Sequence, residues 1–159
     1  MKKRNHIAQT QPKGYQAMYA LVDYLKSTNI PSNFRQLIKL RASQINGCAY
    51  CLEMHTEESK KEGLSIDKLM LLSAWRESSY FNEQERAVLA LAEEVTLIHQ
   101  GGVSDKTYDQ AVSLFGEEYV AQLIMETVTI NAWNRIAIST HAEFRQHADA
   151  NAATVLHTA

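Results

Sequence analysis

Proline and glycine are scarce in this chain of 159 residues, at two and six copies. Both prolines, Pro12 and Pro31, stand near the beginning, so beyond residue 31 no proline removes a backbone donor and long helices are permitted. An excess of charge of either sign is also missing. Sixteen Lys and Arg face eighteen Asp and Glu, a formal net charge of −2. That balance lacks the basic surplus a phosphate backbone requires, so nucleic acid is not an expected partner. Apolar runs are short pieces such as residues 69–72, far below the roughly 20 residues that cross a bilayer, and a membrane partner is not expected either. The basic opening Lys2, Lys3, Arg4 runs into His6, Gln9 and Gln11 instead of an apolar block, unlike a secretory leader. The expected compartment is the cytoplasm. Cysteine is limited to Cys48 and Cys51. A disulfide used as a staple stabilises most when it closes a long loop, and this pair closes almost none. In a reducing compartment such a CxxC is more plausibly redox-active or metal-binding.

What is present is helical periodicity. Apolar residues recur at steps of three and four, as in Met18, Leu21, Val22, Leu25, again in Val88, Leu91, Val95, Ile98, and again in Val120, Leu123, Ile124, Val128. The glycines fall at the edges of these segments, where helix ends favour them. Ser32 after Pro31, Ser65, and Asn82 with Glu85 three residues on supply start signals, the last resembling a capping box. The reading is an all-α, single-domain bundle of about seven helices, near residues 14–27, 32–46, 48–62, 66–77, 82–100, 104–115 and 117–140. The β-branched run 127–130 has no alternating partner and is read as helix. From about residue 145 the composition turns to Ala, Asn, His and Thr, expected to form a weakly ordered tail.

The segment 40–55, LRASQINGCAYCLEMH, carries the chemistry. Asn46 and Gly47 close one helix, so Cys48 opens the next, where free backbone N–H groups and the positive end of the helix dipole face a thiol. Cys51 and His55 follow at i+3 and i+7, on one face. Helical side chains lean towards the N-terminus, which tilts the His55 imidazole over Cys51. A helix terminus contributes roughly 0.3 to 1 kcal/mol, less than the ~1.4 kcal/mol that one pK unit requires. The dipole alone is therefore insufficient, and an imidazole supplies the remainder as a base or as a countercharge. On this reading Cys51 with His55 is the activated pair and Cys48 resolves what forms on Cys51. Two other readings stay open at this point: inert packing of two small thiols, and a metal site. Three ligands are one short of a closed zinc site. A haem attachment needs His directly after the second Cys, where this chain has Leu52. No cofactor is called for.

Taken with LIKLRASQINGCAYCLEMHT, the segments LLSAWRESSYFNEQERAVLALAEEVT and INAWNRIAIS make the chain resemble the alkylhydroperoxidase D-like branch of the carboxymuconolactone decarboxylase superfamily, over about residues 15–140. The resemblance implies an all-α fold assembled as a homotrimer or homohexamer, and reduction of organic hydroperoxides at the expense of an external dithiol, lipoamide- or thioredoxin-like. It assigns Cys51 as the peroxide-reactive sulfur, Cys48 as proton donor and resolving thiol, and His55 as part of a proton relay. The family's relay begins with a glutamate twelve residues before the first cysteine, and that position here is Gln36. Glutamine can orient an imidazole but cannot take its proton. One expectation is that Gln36 positions His55 while water or another carboxylate carries the proton, with Glu53, Glu57 and Glu58 as nearby but unaligned candidates. The alternative is a thiol redox sensor or disulfide-exchange module with little turnover.

Other residues carry blander expectations. His141, His147 and His157 are read as solvated, Tyr50 as packing beside the thiols, and Trp75, Arg76, Tyr80 and Phe81 as core or interface. Glu85 and Arg86 read as helix-opening charge on a solvated face. The apolar face of segment 117–140, with Trp133, is generous for a monomer of this size.

Overall fold

The computed structural model describes Arg4 and residues 6–142. The expected tail from about residue 145, with His147 and His157, lies outside the described residues. Among those described, eight α-helices follow one another and no strand occurs: α1 (Ile7–Thr10), α2 (Pro12–Ser27), α3 (Ser32–Asn46), α4 (Ala49–Lys61), α5 (Ile66–Leu71), α6 (Glu83–Thr96), α7 (Asp105–Phe115) and α8 (Glu117–Thr140). Tighter 3₁₀ turns extend α5 at Leu72–Ala74 and follow α6 at Ile98–Gln100.

The differences from the expected boundaries have local causes. Pro12 starts α2, and the residue before a proline is pushed out of the helical region, so Gln11 (φ −135°, ψ 61°) separates α1 from α2. The expected helix over 66–77 stops at Leu71, and the tightened turn carries fully buried Leu72 and then Trp75 into a core with Phe81 and Leu89. The helix expected to reach residue 100 ends at Thr96, where Leu97 leaves helical geometry (φ −95°, ψ 34°). Start signals hold at Ser65, whose hydroxyl accepts from the Lys68 N–H, and at Asn82 with Glu85, which form a complete capping box. Ser32 is different: Pro31 caps α3, and the Ser32 hydroxyl donates across to Glu62.

One expectation holds for the helix opening and is corrected for the solvated face. Glu85 is buried and pairs with Lys68 at 2.6 Å, while Arg86 donates to the carbonyls of Phe81, Arg76 and Ser78. Neither lies on a freely solvated face, because the loop before α6 folds back over its first turn. Trp75 and Phe81 are core, as expected; Tyr80 remains half-exposed.

Helix α3 is the central element and packs on α4, α6 and α8. Its Phe34, Ile38 and Ala42 join one apolar core with residues of α6, α7 and α8, and its Leu37 and Leu40 join the second core around Trp75. Each such large side chain contributes about 1.5–3 kcal/mol when buried. A third side of α3 is polar yet covered. Gln36, Lys39, Ser43 and Asn46 recur at steps of three, four and three, and Gln36 and Ser43 are buried. This stripe ties α3 to α4 and α8 through side chains and so positions the CxxC.

Candidate active site

The turn between α3 and α4 explains how the first sulfur is placed. Gly47 adopts the left-handed conformation (φ 68°, ψ 33°), its N–H bonding to the Gln44 carbonyl at 3.3 Å while the Cys48 N–H bonds to that of Ser43 at 3.0 Å. This double closure is a Schellman motif, and it needs a residue that tolerates positive φ. It makes Cys48 the residue capping α4. The Cys51 N–H donates to the Cys48 sulfur at 3.3 Å, so one of the unpaired donors of the helix start is spent on that sulfur.

Cys48 and Cys51 are joined by a disulfide, with their Cα atoms 5.4 Å apart. Both are buried, at 1% and 2% exposure, and they pack against Ala137 near the end of α8, with Tyr50 and Ala142 alongside. Tyr50 therefore stands beside the sulfurs, as its place between them suggested.

His55 lies one turn beyond Cys51 on α4 and is 6% exposed. Its Nδ1 is 2.8 Å from a carboxylate oxygen of Glu58. Of the three carboxylates considered from the sequence, Glu57 is exposed and paired with Lys60, and Glu58 is the one that meets the ring. The His55 hydrogen bond, above all, holds the Glu58 carboxyl below the usual carboxylate range, against burial that pushes it up; the charges of His55 and Lys39 pull the same way. An ionised carboxylate only accepts, so this contact favours the tautomer with its proton on Nδ1 and its lone pair on Nε2.

Gln36 is buried but does not hydrogen-bond the imidazole. Its amide donates to Glu62 at 3.1 Å, and its oxygen accepts from the Ser59 hydroxyl at 3.4 Å. The single proton of that hydroxyl is shared with the nearer His55 carbonyl, at 2.6 Å. Gln36 thus supports the backbone of α4 one turn below the ring.

Sequence reasoning missed the asparagines that lock this end of the molecule. Asn46 donates to the side-chain oxygens of Asn131 and Asn134, both at 2.9 Å; Asn134 donates to Ser43 at 3.0 Å and Asn131 to Thr96 at 2.9 Å. Asn134 is fully buried. Buried amides satisfied in this way specify one packing arrangement. The signal was available as the polar stripe of α3 at helical spacing, together with two asparagines three apart on α8.

The all-α architecture built round a CxxC and histidine defines an alkylhydroperoxidase D-like protein, and comparison with known proteins agrees. The model of the carboxymuconolactone decarboxylase family matches residues 12–94, and the chain belongs to that family. It is 36% identical over 139 residues to the uncharacterized protein YdfG of Bacillus subtilis, covering 87% of this chain and 95% of that one. The crystal structure of a protein of unknown function from Agrobacterium tumefaciens, proposed as an antioxidant defence protein of the AhpD type, superposes with a TM-score of 0.86. The two are 39% identical over 90% of this chain and 98% of the other. A debrominase in its apo form shares the fold at a TM-score of 0.77 with 20% identity, over 89% of this chain and 77% of its own. The fold therefore does not by itself name the reaction. No described helix is long and apolar enough to cross a membrane.

Proposed function

We propose that the chain is a thiol-dependent peroxidase acting on alkyl hydroperoxides. The observation that carries this reading is the buried Cys48–Cys51 disulfide at the start of α4 with a histidine one turn on. In the reduced protein Cys51 gives its proton to His55 and attacks the peroxide. A sulfur–oxygen bond forms, the oxygen–oxygen bond breaks, and the alkoxide leaves with a proton as the alcohol. Cys51 is then a sulfenic acid. The Cys48 thiol attacks that sulfur and water departs, giving the disulfide. An external dithiol reduces the pair, and no cofactor takes part. Gln36 stands where the family's relay has an acid, and it supports α4 from behind His55.

Assembly with further copies of the chain as a trimer or hexamer belongs to the same reading. Its support is Met125, Val128 and Ile138, large apolar residues exposed on α8. Light scattering at micromolar protein should give a multiple of the chain mass, and a monomer would refute it.

The decisive assay follows consumption of an alkyl hydroperoxide with a dithiol such as dihydrolipoamide, comparing the parent with Cys51→Ser. Removal of the nucleophile should abolish turnover above background. If both proteins consume peroxide equally, the enzyme reading fails. A thiol redox sensor is the second reading, favoured by the non-ionisable Gln36. It predicts one stoichiometric oxidation of the pair by peroxide with negligible turnover.

A further inference from the structure

We propose that Glu58 is a positioning residue that supplies the charge against which His55 ionises, so that position 36 is free to hold an amide. This deepens the peroxidase reading and rests on it for the nature of the reaction. The argument starts from burial. His55 is 6% exposed, and an imidazole that takes up a proton in such a place needs a countercharge. Gln36 has none to give. Glu58 does, and it is already on Nδ1 at 2.8 Å.

The surroundings set this carboxylate apart from its neighbours. Glu62 is occupied by the Gln36 amide and the Ser32 hydroxyl, and Glu57 by Lys60. From α3, Lys39 adds its charge to Glu58, and it also reaches Glu126 of α8 at 3.6 Å. One basic side chain is thus shared between two acidic ones. The Gln36 amide donates to Glu62 and pulls weakly on Glu58 in the same sense. A glutamate at 36 would face those two carboxylates as a third, so the amide at 36 and the acid at 58 form a matched set.

The proton count closes. The Cys51 thiol proton moves to Nε2 of His55, and the Nδ1–H stays shared with Glu58. When the oxygen–oxygen bond breaks, the Nε2 proton leaves on the alcohol. Cys51 is oxidised, the peroxide is reduced, and His55 and Glu58 end as they began.

The test reads Cys51 directly. In the Cys48→Ser background, where only one sulfur reports, the rate of alkylation by iodoacetamide is followed against pH. Glu58→Gln should move the midpoint of that curve up by about one pH unit, the low end of the effect of a nearby opposite charge. Glu58→Asp should recover at least half of the shift. A Glu58→Gln curve that superposes on its parent overturns the proposal. A second measurement needs no variant: nitrogen NMR of His55 in the unsubstituted protein should show a protonated Nδ1, and an unprotonated Nδ1 at neutral pH overturns it. Neither readout uses peroxide. A chain that consumes no peroxide yet shows the alkylation shift keeps this role for Glu58 while losing the peroxidase reading.

Discussion

Two glutamates, Glu93 on α6 and Glu58 on α4, sit at opposite kinds of site. Glu93 is buried, and both of its oxygens are taken: one accepts from Arg41 at 2.6 Å and Trp75 at 2.8 Å, the other from Arg76. The Arg76 guanidinium also lies 4.2 Å from the centre of the Trp75 ring. Burial pushes the Glu93 carboxyl up, but hydrogen bonds from Trp75, Arg41 and Arg76 together hold it below the usual range. Glu58 has its side chain 44% exposed and meets a histidine that can change charge. The lesson is that a saturated carboxylate serves packing, while one left half in water beside a titratable ring is free for the role proposed for Glu58. A cavity of about 350 Å³ opens beside Glu93 and Arg76, away from the disulfide, and does not alter that distinction.

The sharpest way to break the comparison is to remove Glu93. Glu93→Ala leaves Arg41 and Trp75 facing a buried gap, and should cost about 3 kcal/mol, read as a lowered urea midpoint at constant slope. A loss below about 1 kcal/mol would show that the cluster is not structural. Acid should act in the same order. Both carboxyls lie lower in the folded chain than in the unfolded one, so their contribution is complete above the ordinary carboxylate range near pH 4 and is lost as pH falls through the lowered values. Melting temperature between pH 6 and pH 3 should therefore fall in the parent, less steeply in a Glu93→Gln variant, and with little change of slope in Glu58→Gln.

Smaller effects sharpen the picture around the disulfide. Gly47 has open space where a side chain would begin, so Gly47→Ala suffers only from its left-handed backbone, a loss of about 1 kcal/mol by chemical denaturation. Gly47→Asn should lose less, since asparagine tolerates that region. Glu58→Gln should be the mildest for stability, within about 0.5 kcal/mol, because half-exposed pairs contribute little. A larger loss at Glu58 would place it with Glu93 as a packing element.

The helical class, the starts at Ser65 and Asn82, the turn at Gly47 and the place of Cys48 at the opening of α4 were legible in the residues, because each depends on neighbours within about one or two turns. Glu58 was legible only as one of several acids. Its spacing of three from His55 is as short-range as the CxxC, but Glu57 and Glu53 are close by, and side-chain geometry had to choose. Gln36 was visible as a departure, whereas its actual partners, Ser59 and Glu62, were not. Glu85 and Arg86 misled because their identity as charged residues says nothing about the loop that covers them.

What the sequence by itself determined is the helical framework, the placing of a capping cysteine after a left-handed glycine, and the spacing of two sulfurs a turn apart, which the structure joins. These follow from local preferences that act within one or two turns of chain. Side-chain geometry within α4 decided which carboxylate meets His55, and only the tertiary structure decided that Gln36 stands behind α4 and off the imidazole, and that asparagines of α8 lock the end of α3. Those choices join residues up to 91 positions apart, and the energy of each depends on what is buried beside it.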